Sequence, residues 1–105
     1  MTAYTGNTTT TTPTIATATS TTVLAANPFR KFLLIQNHSG APIGVGLEGQ
    51  TLSGINPSAT NKCFNLDSTS NANRLIFSDG FIPGGVITVY QTSGASINTV
   101  TVIEG

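Results

Sequence analysis

Twelve of the first twenty-two residues are threonine, and no charged side chain precedes Arg30. Threonine is branched at Cβ, which favours extended backbone over helix. Its hydroxyl makes such a run too polar to build a core, and the lack of charge leaves it nothing to do by electrostatics. Residues 1–24 are therefore expected to be an extended, neutral arm. Its tip, to about Pro13, is expected to be mobile. Thr14 to Leu24 is strand-competent, with Ile15 and Val23 as its apolar points, and residues 25–105 are expected to form the β domain. On that division, removal of Met1 to Ser20 leaves the domain folded and weakens attachment to a partner or to other copies.

Behind the arm, about eighty residues suffice for one thin hydrophobic core in a domain that buries proportionally little surface. Charged residues make up 8% of the chain, four basic and four acidic, against the roughly 25% usual in soluble domains. Thr, Ser, Asn and Gly take their place, which is the surface chemistry of adhesins and viral shells. Phosphate binding needs clustered Lys and Arg. The adjacent pair Arg30-Lys31 would point to opposite sides of a strand, so no nucleic-acid partner is expected. No basic region leads into an apolar run at the N-terminus, and Phe32 to Ile35 is only four residues long, so neither a signal peptide nor a membrane span is expected. The glycosylation triplets Asn7-Thr8-Thr9 and Asn37-His38-Ser39 are then chance matches.

Short β-branched or aromatic runs bounded by turn residues recur along the chain, and no window carries the apolar spacing of a helix. Strands are expected at Lys31–Gln36, Pro42–Glu48, Lys62–Leu66, Arg74–Phe77, Val86–Thr92 and Ile97–Ile103. The last two, separated by Ser93-Gly94-Ala95-Ser96, read as a hairpin. In Lys31–Gln36 both faces are apolar, Phe32 and Leu34 on one and Leu33 and Ile35 on the other, so a neighbour is expected against each. In Pro42–Glu48, Ile43, Val45 and Leu47 point inward. Gly44 and Gly46 make the opposite face flat and open to close backbone approach. Gln50–Thr60 reads as a loop pinned by Leu52 and Ile55, and Asp67–Asn73 as an exposed connection. The fold class is all-β: an antiparallel β-sandwich, jelly-roll-like, or a small barrel, with an N-terminal arm.

No grouping for catalysis stands out. His38 is the one histidine and reads as an exposed turn residue; Ser39 beside it has no third group to complete a triad. Glu48, Asp67, Asp79 and Glu104 show no pairing signal, although Glu48, Asp79 and His38 around one cleft would revive an enzyme reading. Cys63 reads as a half-buried strand residue, and neither metal nor cofactor is expected. Tyr4 and Tyr90 are the candidate platforms for a glycan in an adhesive or carbohydrate-binding module.

The segment Ala26-Asn27-Pro28-Phe29-Arg30-Lys31-Phe32-Leu33-Leu34-Ile35-Gln36-Asn37 resembles a strand of small β-rich virion proteins of tailed bacteriophages. Asp79 to Gly84 is similar to their Asp-Gly-Phe-Ile-Pro turn, and Val100 to Gly105 to their closing Thr/Val strand ending in Glu-Gly. The resemblance implies a non-enzymatic virion structural protein, most plausibly a capsid decoration or cement protein. Made in the host cytoplasm, it would sit on the capsid surface, or at a neck, tail or fibre. Its partners would be the major capsid protein or another virion protein, and further copies of itself in a trimer or other ring. Thr14, Ile15, Thr17, Thr19, Thr21, Val23, Leu33 and Ile35 are the candidate interface residues, in the strand-competent half of the arm and on one face of the best strand.

Overall fold

A computed structural model describes residues 7–68 and 72–105. Eight strands form two four-stranded antiparallel sheets. They are β1 (Thr9–Thr11), β2 (Thr21–Leu24), β3 (Leu33–Asn37), β4 (Ile43–Gly46), β5 (Phe64–Leu66), β6 (Arg74–Phe77), β7 (Ile87–Gln91) and β8 (Val100–Glu104). The first sheet runs in the order β1-β8-β3-β6 and the second in the order β2-β7-β4-β5. Each ends in open edges, so the barrel alternative is not realised.

Period-two alternation builds the core. Leu33 and Ile35 of β3 and Val100 and Val102 of β8 supply its first wall. Ile43 and Val45 of β4, Leu66 of β5, and Ile87 and Val89 of β7 supply the other. Leu75 and Phe77 of β6 and Val23 and Leu24 of β2 pack at the margins. These strands are each apolar on the face that meets the opposite sheet, as expected where a sheet has one buried face.

Two expectations fail here. The hairpin of the last two strands does not form, because β7 and β8 belong to different sheets. Their turn is instead a crossover, pinned from outside the pair. Ile15 and Ile97 exchange backbone hydrogen bonds of 2.8 and 3.0 Å. The Gln91 amide donates to the carbonyls of Ile15 and Ala95, and the Thr17 hydroxyl donates to that of Ser93. Ile87 and Val89 of β7 and Val100 and Val102 of β8 instead look into the shared core from opposite sheets.

The threonine-rich segment is also not set apart from the domain. Thr9–Thr11 pairs with β8, and Thr21–Leu24 pairs with β7 across a bulge, so each sheet takes an edge strand from it. Between them Ile15 is completely enclosed. Removing residues 1–20 would strip β1 and open the core, contrary to the expectation that the domain survives without them. Strand-like pairing between Thr14 and Ser20 is limited to bridges at Ile15 and Thr17.

Candidate docking surface

Arg30 is the only buried cation among the described residues. Its Nε donates to the Glu104 carboxylate at 2.7 Å, and its terminal nitrogens donate to the carbonyls of Pro83, Gly85 and Ala25. Asn27 also donates to Glu104, while its backbone amide bonds the Gly84 carbonyl. Gly105 exchanges backbone hydrogen bonds with Phe32. Three segments far apart in sequence, around Asn27, Pro83 and Glu104, therefore meet around one guanidinium. Burial of an arginine is tolerated because five donors in a rigid fork find an anion and three carbonyls together. From sequence, Arg30 and Lys31 are expected only to point to opposite sides of a strand; the gathering of Asn27, Pro83 and Glu104 around Arg30 is not visible in their spacing.

This end of the molecule also projects aromatics. Phe29 is 81% exposed and Phe81 is 67% exposed. Phe77 holds the Phe81 ring edge-on, with centroids 6.2 Å apart. Phe81 follows the turn Asp79-Gly80, where Gly80 has φ of 70°.

The outer face of the first sheet is apolar in its middle. Leu34 pairs with Ile76 on one side and Ile103 on the other, and Ile103 pairs with Thr10 of the edge strand. Ile76 is 44% exposed, and Leu34 and Ile103 are half-buried. Arg74 is the one charge in the next row, opposite Gln36. Beside this face, β1 presents three exposed threonines, with neither the lysine nor the proline that usually blunts an open edge.

The second sheet is finished differently. Residues 47–63 fold over its outer face, where Gly44 and Gly46 remove the side chains that would hold them off. A Cβ on Gly44 would stand 2.8 Å from the Gly54 carbonyl oxygen, and one on Gly46 would stand 2.9 Å from a Leu52 methyl. The Thr88 hydroxyl donates to the Gln50 carbonyl, and the Leu52 amide donates to the Ser20 hydroxyl. Asn61 closes the loop on itself, donating to the carbonyls of Gly54 and Asn56 and accepting from the Ser53 amide. The flat glycine face read from sequence is thus used, with Leu52 buried as its pin.

Comparison of the chain with known protein families, characterised proteins and solved structures finds no match. Of the eight candidate interface residues, Thr14, Thr17 and Thr19 are exposed, while Thr21 and Val23 are half-buried along β2. Ile15, Leu33 and Ile35 are fully enclosed in the core and have no surface to offer a partner. With both faces of β3 apolar, the pattern did not reveal which one turned inward. Leu34, on the opposite face of β3, stays half-buried at the surface.

His38 is exposed, as read, and Cys63 is half-buried, with burial raising its thiol pKa. No group of three His, Cys, Asp or Glu side chains with metal-binding geometry occurs among the described residues. Tyr90 is half-buried opposite Gly44 on the face that the 47–63 loop covers, and Tyr4 lies outside the described residues.

Proposed function

We propose that this chain is a non-enzymatic attachment module: a virion structural protein that decorates the outside of a capsid and stabilises it. The observation that carries the reading is the row Ile103-Leu34-Ile76, half open beside an uncharged edge strand. Such a surface gains affinity by covering apolar area and adding backbone hydrogen bonds, and has little use for charge. The strand orders 1-8-3-6 and 2-7-4-5 support a jelly roll, an architecture shared by viral shell and lectin domains. That likeness is an analogy of fold, which by itself does not assign function. The convergence of Asn27, Arg30, Pro83 and Glu104 supports the phage resemblance, because its scattered segments form one structural unit.

A decoration protein adds stability by binding the assembled shell and not its loose subunits. Particles with and without the protein should then differ in their resistance to heat or to chelation. Unchanged resistance, with the protein still bound, would replace cementing by display. Binding to neck, tail or fibre and not to heads would move the protein elsewhere in the virion. The glycan reading is the weaker one, because Tyr90 is half-buried, opposite Gly44 in the second sheet.

A further inference from the structure

Where the 47–63 loop meets β5 it leaves a recess of about 310 Å³, walled by Leu47, Pro57 and Phe64 and bordered by Lys62. Phe64 is 50% exposed within it. This volume is at the small end for ligand pockets and suits one aromatic side chain better than an extended ligand. The same chain carries such a side chain. Phe81 is 67% exposed, yet its ring is already held edge-on by Phe77, so docking it forfeits little rotamer freedom. Two residues before it stands the exposed carboxylate of Asp79.

Charge complementarity selects the partner. Arg30 and Glu104 neutralise each other, which leaves three residues of each sign in the whole chain. One of these, Lys62, borders the recess, and another, Asp79, flanks the projecting ring. We propose that the recess of one copy receives Phe81 of a second copy, with the Asp79 carboxylate of the incoming loop against the Lys62 ammonium. The ring supplies the desolvated anchor and the ion pair supplies orientation. Within one copy the two do not meet, since Phe81 remains exposed and the recess open. Knob and socket are different surfaces, so association is either reciprocal between two copies or continues from copy to copy. The inference goes beyond the reading above and needs no particle.

Sedimentation of the full chain at rising concentration tests it. The wild type should associate, and Phe81→Ser should weaken association at least about tenfold, a change of about 1.4 kcal/mol. Lys62→Asp and Asp79→Lys should each weaken it, by like-charge contact in one case between acids and in the other between bases. An equimolar mixture of the two single variants should recover association, because the unaltered Asp79 of one meets the unaltered Lys62 of the other and the reversed pair meets as well. All three residues are exposed, so a folding defect does not mimic this pattern. A wild type that stays monomeric, association indifferent to Phe81→Ser, or a mixture that fails to recover would each overturn the proposal. A different occupant of the recess would produce one of those results.

Discussion

On the second sheet, the outward positions of β4 are glycines, and a loop of the same chain lies against them with its own leucine and asparagine as fastenings. On the first sheet, the corresponding positions of β3, β6 and β8 are Leu34, Ile76 and Ile103, and they stay partly open. The inner faces of both sheets obey one rule, alternation into a shared core. Their outer faces divide the work: one is closed by the chain itself, and the other keeps apolar side chains at positions where water is the alternative neighbour. Scattered exposed apolar residues need no explanation, but a contiguous row across three strands is the feature on which the proposed attachment rests.

The largest effect is expected where the two sheets are tied together. Arg30→Met would leave the Ala25, Pro83 and Gly85 carbonyls without their donor and Glu104 without its cation. Glu104 keeps some contact with water, so the cost falls mainly on the carbonyls, at about 1–3 kcal/mol for each one left buried without a donor. Both outer faces should lose hydrogen-exchange protection together, with a matching fall in the urea midpoint. If the second sheet's loop stayed protected while the first sheet opened, the two would be independent units and the comparison would need separate scaffolds.

Ile15→Ala comes next, at about 2–5 kcal/mol for a fully enclosed aliphatic side chain. Thr14→Ala and Thr19→Ala, on exposed neighbours, should change the melting midpoint little. Ile15 also shows how far the sequence could be read. Its place as an apolar point in a threonine run was visible, and so were seven of the eight strands (all but β1), the flat face of β4 and the pinning of the loop by Leu52. All of these follow from local pattern. Sheet membership is not local. β7 and β8 look like a hairpin until Gln91 and Ile15 are seen fastening the crossover between them. The choice of inward face on β3 likewise depends on which strand packs opposite, and a two-faced apolar pattern leaves that open. No spacing could have shown that Arg30, Pro83 and Glu104 are neighbours, because 53 residues separate the first two and 74 the first and last.

Gly44→Val should act on one face only. The new side chain would meet the Gly54 carbonyl and the Ile55 backbone, and must lift the loop or strain β4. Overpacking of this kind costs about 1–3 kcal/mol. Cys63 reports on the loop directly, since its thiol lies 3.4 Å from the position of the added Cβ. Alkylation of Cys63 should be faster in the variant than in the wild type. The pH dependence follows the same cause. Burial raises the thiol pKa, so the folded chain holds that proton more tightly than the unfolded chain does. The stability this contributes is complete below the ordinary thiol range and is lost as pH rises through the raised folded value. In Gly44→Val that alkaline loss should shrink, because a lifted loop no longer desolvates the thiol. An unaltered alkylation rate would mean that the loop does not cover β4 in solution.

The smallest effect on folding should come from the face proposed for attachment. Leu34→Thr combined with Ile76→Thr places a β-branched residue with good strand preference at both positions while removing apolar area from the open row. Ile76 is 44% exposed, Leu34 is half-buried, and threonine keeps the strand preference of both positions, so the combined loss of stability should be about 1 kcal/mol. Binding to capsids, measured by co-sedimentation, should nevertheless fall steeply, since the transfer of that area out of water is what the partner would gain. The opposite pairing of results decides against the comparison. If the double variant unfolds readily but still binds, the row serves the fold, and the open face of the first sheet is not where attachment occurs. Gly44→Val supplies the control. It costs more stability than the double variant, yet it leaves the open row untouched, so it should cost less binding.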